Sequence, residues 1–233
     1  MATRCYLAMT SAEISSAKSL PPHPAWMACH FDLDSRGLSN LPTSLPADSM
    51  IILNDQIPVS DHDPQRIAEQ LAECNDRLKP RYFLLDLQRP NQPETASIAA
   101  AIVRMLGEKT GVSEYYAKDL PCPVFVSSCP LRVPLETHLK AWSGREIWLE
   151  AALEAQTVTV DQKGCRTAPA DLQILPEPAF TDDNLCCRYH TQVLNDRVEF
   201  SVQRDTAQLQ TLLDRAEALG VKLAVGLYQQ LGK

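Results

Sequence analysis

Eight short apolar runs divide this chain, at residues 5–9, 25–31, 50–53, 82–87, 123–126, 146–149, 197–202 and 221–227, and nearly every one stops on a polar side chain. Runs of this length suit strands better than buried helices, and the near absence of charge inside them points to strands covered on both faces. Amphipathic segments follow at least four of the runs. That alternation is what a parallel sheet clothed in helices requires, and eight strands close it into a (β/α)8 barrel of the TIM type.

The expected fold is therefore α/β, a compact TIM-like barrel. At 233 residues the chain is shorter than the usual ~250 of that fold. The economy lies in reduced helices after the first and second strands. An open doubly wound sheet is the competing arrangement, but no glycine-rich loop follows any run to cradle a phosphate.

Local signals set the helices. Asp63 before Pro64 caps a helix in which Ile67, Leu71, Cys74 and Leu78 share a face, and Pro80 ends it. Pro93 and Glu94 open a second helix, in which Ile98, Ile102, Met105 and Leu106 share a face, with Gly107 near its end. Leu135, His138, Leu139 and Trp142 mark a third, and Asp205 with Gln208 starts a fourth that Gly220 closes.

After the sixth run the pattern changes. Residues 157–160 alternate in the β manner before a turn at 161–164, and prolines 169, 176 and 178 follow. Residues 186–193 and 197–202 flank Asn195 and Asp196 as a hairpin, its second arm serving as the seventh strand. The expectation is one domain over 1–233 with an inserted β-rich excursion at about 154–196, after strand six.

The charge balance of 22 basic against 29 acidic residues, with a pI near 5.2, supplies no basic stripe for nucleic acid. No run approaches the ~18 apolar residues of a membrane span, and the opening residues carry no secretory pattern, so a cytoplasmic protein is expected. Eight cysteines in a chain of this size, several at or inside apolar runs, suggest reduced, buried thiols. No Cys-x-x-Cys or His-x-x-x-His pair exists, so no metal or cofactor is expected.

The stretch Arg81 to Pro90, RYFLLDLQRP, carries the clearest chemistry. Asp86 lies within an apolar run, with leucine on both sides, and a buried carboxylate must be paired or have a perturbed pKa. Residues two apart on a strand face the same way, which pairs Asp86 with Gln88, Trp148 with Glu150, and Asp32 with Asp34. In a barrel, such strand ends line the mouth where chemistry occurs.

Two opposed carboxylates with an aromatic ring near one can act as acid and base, or as acid and nucleophile, on a glycosidic bond. Glu150 is the nominated acid and Asp86 its partner. Asp32, Asp34, Asn54, Gln88, Arg89, Ser128, Trp148, Tyr228 and Gln229 are the candidate ligand-binding residues. The structural alternative pairs Glu150 with Arg89 or Arg145 and leaves Asp86 bonded to neighbouring backbone.

The run LLDLQ resembles the end of the D-x-x-D-x-D-x-E motif that chitinase-type glycoside hydrolases carry on barrel strand four. Asp86 matches the last aspartate of that motif, and Gln88 stands where the catalytic glutamate belongs, while Arg81 and Leu84 replace the earlier aspartates. A neutral amide cannot donate the proton, so the resemblance implies a related barrel without that family's intact acid. More generally the chain resembles small bacterial TIM-barrel proteins. Two functions follow as expectations: a barrel that acts on or binds a carbohydrate, and a non-catalytic barrel that holds a small ligand or, through the β excursion, a protein partner.

Overall fold

A computed structural model describes residues 3–126 and 130–232. In chain order its elements are β1 (Arg4–Met9), α1 (Ser11–Ser16), β2 (Pro24–Asp32), β3 (Gly37–Ser39), β4 (Met50–Asn54), α2 (Pro64–Leu78), β5 (Tyr82–Asp86) and α3 (Pro93–Leu106). There follow β6 (Thr110–Ser113), β7 (Val124–Val126), α4 (Leu135–Leu139), β8 (Ile147–Ala151), β9 (Glu154–Asp161), β10 (Gly164–Pro169) and β11 (Ala179–Asp182). The chain finishes with β12 (Cys187–Val193), β13 (Arg197–Arg204), α5 (Thr206–Ala218), β14 (Leu223–Leu227) and α6 (Tyr228–Leu231).

Two compact units result. The barrel unit runs from Arg4 through Val126, returns with residues 144–150 and again from Lys222 onward, and the second unit is built mainly from residues 151–221. In the first, β1, β2, β4, β5, β6, β7, β8 and β14 form a closed eight-stranded parallel barrel, sealed where β1 pairs with both β14 and β2. The TIM-like class expected from the sequence is the class observed.

Two strand assignments are corrected. The fifth barrel strand is β6, with the sequence Thr-Gly-Val-Ser, all four residues buried between β5 and β7. Residues 197–202, expected as the seventh barrel strand, belong to β13 in a separate antiparallel sheet. Residues 123–126 and 146–149 thereby move to the sixth and seventh barrel positions. The β-rich excursion thus follows strand seven rather than six, and the hairpin expected at 186–202 is present as β12 and β13 within a five-stranded sheet in the order β10-β9-β13-β12-β11.

The economy after the first two strands is real. The helix α1 has six residues and is held by a capping box, in which Thr10 Oγ1 accepts from Glu13 N while Glu13 Oε2 accepts from Thr10 N. No helix follows β2, where β3 folds back antiparallel instead. By contrast α2 is full length. Asp63 caps it by accepting from Gln65 N at 3.0 Å, Pro64 takes the first turn, and Ile67, Ala68, Leu71 and Cys74 are buried.

The barrel interior is filled by alternate residues of each strand: Tyr6 and Ala8, Met50 and Ile52, Leu84, Phe125, Trp148, Leu223 and Val225. Trp148 is the largest fully buried side chain, and it fits because β6 presents a glycine to it. A Cβ on Gly111 would sit 2.2 Å from Trp148 Cε3. Tyr82 packs edge-on to the Trp148 ring at 5.1 Å, and Trp148 Nε1 donates to Glu146 Oε1 at 3.0 Å.

Arg145 ties down the connection from β6 to β7. Its Nη2 donates to the carbonyls of Leu120 at 2.7 Å, Cys122 at 2.6 Å and Ala117 at 3.2 Å. Removing it takes the donor from Cys122 O and the charged second donor from Ala117 O and Leu120 O, which keep the backbone N–H groups of Leu120 and Cys122. Arg145→Ala is expected to cost about 2–3 kcal/mol in urea unfolding, the scale of charged hydrogen bonds lost from partly buried acceptors, whereas a change below about 0.5 kcal/mol would show the loop to be held by other contacts.

In the second unit, β9, β12 and β13 form the centre of the sheet and α5 packs on β12 and β13 through Leu209, Leu212 and Ala216. Arg204 is buried there, 3.5 Å from Glu154 Oε2, with Nε donating to Cys186 O and Nη2 to Leu185 O. Among the described residues seven cysteines are free thiols, five of them buried, Cys5 partly so and Cys165 exposed. No helix among the described residues is long and apolar enough to cross a membrane.

Candidate functional site

The fourth barrel strand, β5, ends on Asp86, which continues the interior-facing series Tyr82, Leu84 and Asp86. The neighbouring strand β4 sets Asn54 beside it in register, and β6 follows on the other side. Glu150 stands two residues beyond the interior Trp148 on β8, so it too faces the mouth at the C-terminal ends of the strands. Asp86, Asn54 and Glu150 therefore lie on the same end of the barrel lining.

Asp86 is half-buried, and burial pushes its carboxyl above the ordinary aspartate value of 3.8. The amide of Gln88 opposes this by donating Nε2–H to Asp86 Oδ1, and the nearby Asp55 carboxylate pushes the value up further. Asp86 thus holds its proton to a higher pH than a solvent-exposed aspartate.

Asp55 organises the backbone behind this pair. It is 5% exposed, and its two carboxylate oxygens accept from Gln88 N at 3.0 Å and Arg89 N at 2.8 Å. The same loop is pinned from β6, where the buried Ser113 Oγ donates to Leu87 O at 2.6 Å, and from Tyr116, whose hydroxyl donates to Arg89 O. Arg89 itself extends Nη2 to Gln56 O at 3.0 Å. Asn54 is similarly engaged, with Nδ2 donating to Met27 O and Cys29 O and Oδ1 accepting from Gln56 N.

Other sequence candidates have local duties. Asp32 closes the turn into β3, with Oδ1 accepting from Ser35 N at 2.8 Å and Asp34 N at 2.9 Å and Oδ2 from Ser39 Oγ at 2.5 Å. Hydrogen bonds, the Ser35 backbone first, pull its carboxyl down to about 2. Asp34 is exposed in the same turn. His62 Nδ1 accepts from Ser60 N, which leaves Nε2 to donate to Asp32 O at 3.1 Å.

Gln229, at the start of α6, hydrogen-bonds Glu13 beside the α1 capping box, and Tyr228 packs its ring against Gly232. Trp148, expected to stack on a ligand, is fully buried in the barrel core instead. Ser128 lies outside the described residues. Asp55, Ser113 and Tyr116 were not singled out from the sequence. Asp55 alone had a visible signal, as the middle of the polar triplet Asn54, Asp55 and Gln56 that ends an apolar run.

The raised carboxyl gives a stability prediction with a definite sign. Below pH 3.8 Asp86 is protonated in both folded and unfolded chains; as pH rises the unfolded chain loses the proton first, so folding weakens until the folded-state value is passed. Asp86→Asn keeps an acceptor for Gln88 and carries no charge. Its melting temperature should exceed that of the parent at pH 7 and converge with it below pH 3.8, in parallel thermal scans. An unchanged gap across that range would locate the effect elsewhere.

No family model and no curated protein matches the sequence. Solved structures do match in fold. The spore cortex-lytic enzyme SleL of Bacillus megaterium aligns over 96% of this chain and 70% of its own, with TM-score 0.55 and 11% identity. A GH18 chitinase from Cycas revoluta, solved with (GlcNAc)3, aligns over 98% of this chain and 96% of its own, with TM-score 0.55 and 12% identity. The chitinase-like agglutinin of Robinia pseudoacacia aligns over 95% and 93%, with TM-score 0.57 and 9% identity. These likenesses show a shared barrel fold.

Proposed function

We propose that this protein binds an oligosaccharide of acetamido sugars at the C-terminal mouth of the barrel and does not hydrolyse it. The observation that carries the proposal is the Gln88 amide bonded to Asp86 where the chitinase motif has its acid. Hydrolysis of a glycosidic bond needs a group that protonates the leaving oxygen, and an amide has no such proton to give. What the pair does offer is a carboxyl oxygen as acceptor and an amide oxygen on a loop fixed by Asp55, Ser113 and Tyr116. That is a preorganised set for sugar hydroxyl and acetamido N–H groups.

Two of the fold relatives support the ligand class: the Cycas chitinase was solved with (GlcNAc)3, and the Robinia protein is described as a chitinase-like agglutinin. The test is calorimetric titration with (GlcNAc)4 and with its fully deacetylated counterpart. The acetylated sugar should bind and the deacetylated one should bind at least about tenfold more weakly, the value of one lost good contact. Equal affinities would remove the acetamido group from the account.

A second reading rests on the raised carboxyl of Asp86. A carboxyl that keeps its proton is suited to be a general acid, with Glu150 across the mouth as nucleophile or base. This exchanges the roles expected from the sequence. It requires turnover on a glycoside panel that Asp86→Asn and Glu150→Gln each abolish; turnover unaffected by either change would end it.

A further inference from the structure

The second unit carries a cavity that the barrel site does not use. On one face of its sheet, Tyr189 stands opposite Val202 and Phe200 opposite Val158, and the two-residue period of the strands keeps these four side chains together. Leu131 and Leu185 add to the lining of an open cavity of about 310 Å³, within the range of small-ligand sites. Cys187 completes the floor; burial pushes its thiol up to about 11, so the lining there stays uncharged at neutral pH.

Two polar groups meet this apolar surface, the guanidinium of Arg132 and the hydroxyl of Tyr189. Among the described residues neither makes a hydrogen bond or an ion pair. Arg132 shares this with Arg188 alone among the arginines of the unit. Arg166, Arg197, Arg204 and Arg215 of the same unit each face a carboxylate, from Asp161, Glu199, Glu154 and Glu136 in turn. An unpaired cation at the edge of an uncharged, largely aliphatic cavity is complementary to one ligand chemistry, an anionic head on an apolar body. A sugar, with polar groups on most of its carbons, would find two polar partners and an otherwise dry wall.

We infer that this cavity binds an amphipathic monocarboxylate of the medium-chain fatty acid kind, with its chain over Val158, Phe200 and Val202 and its carboxylate at Arg132. The site is independent of the barrel mouth and of whether the mouth binds sugar.

The experiment is titration of the full chain with decanoate, followed by amide NMR, with decanol as the uncharged control. Saturable shifts are expected at Leu131, Val158, Tyr189, Phe200 and Val202. Arg132→Gln, a change at an exposed residue that should leave the melting temperature unchanged, is expected to weaken decanoate by about tenfold or more while leaving decanol affinity the same, as loss of a charge-assisted contact requires. Absence of shifts at these residues, or an equal loss for decanoate and decanol, overturns the inference. So does a dimer that forms through this face without decanoate, since the cavity would then be an interface between copies of the chain.

Discussion

Gly111→Ala should destabilise the barrel by about 3 kcal/mol or more, at the upper end of what overpacking a core costs. The added methyl group would lie 2.2 Å from Trp148 Cε3 and 2.3 Å from Cζ3, closer than any side-chain contact tolerates. Neither partner has room to give. Trp148 is fully buried, with Tyr82 against its ring and its indole nitrogen held by Glu146, and β6 is hydrogen-bonded on both sides by β5 and β7. Relief must come from the indole. Trp148→Leu alone should also destabilise, by about 3 kcal/mol through the cavity it leaves, but the double variant should be more stable than the sum of the two losses implies. A urea-unfolding cycle on the four proteins measures that coupling, and strict additivity would show that the clash is not the cause.

Asp55→Ala carries the second large effect, and it reaches the site. One buried carboxylate satisfies two consecutive backbone N–H groups, those of Gln88 and Arg89. Its removal leaves both without acceptors at the segment that presents Gln88. A loss of about 3 kcal/mol is expected, with Asp55→Asn intermediate because an amide retains one acceptor oxygen. A purely structural role predicts nothing more. The coupling to Asp86 does: loss of the Asp55 charge removes one cause of the raised Asp86 carboxyl, so the Asp86 titration, followed by carboxyl-carbon NMR, should move to lower pH in Asp55→Asn. A titration that stays in place would separate Asp55 from the site.

The two positions explain what the sequence showed and what it hid. The barrel was legible because seven of its eight strands are apolar runs that end on polar residues, and because Asp63 with Pro64, Pro93 and Asp205 mark helix starts at the residues where α2, α3 and α5 begin. β6 escaped because its composition answers to a partner far away in the chain. Thr-Gly-Val-Ser has one large apolar residue, since Gly111 makes room for Trp148 and Ser113 turns its hydroxyl to Leu87 O. With one strand missing, residues 197–202 filled the count, although their alternation of Val198, Phe200 and Val202 with polar residues is the mark of an antiparallel sheet.

The site divides in the same way. Asp86 was legible as a charge between leucines, and the structure gives that charge a raised carboxyl and an amide partner. Asp32 looked equivalent, yet its carboxylate is consumed by the turn at 33–36, which a strand-end pattern cannot distinguish from a mouth residue. Trp148 followed the face of Glu150 as expected, but a residue one pleat deeper is core rather than lining.

Binding without hydrolysis is proposed at Asp86 and Gln88. Its most direct test is calorimetry of the purified chain with (GlcNAc)4, accompanied by chromatography of the sugar recovered from the cell. The account predicts a saturable heat, intact tetrasaccharide, and a loss of about 30-fold in affinity for Asp86→Ala, the equivalent of about 2 kcal/mol. No heat from the parent chain, or shorter sugars in the recovered material, would contradict it.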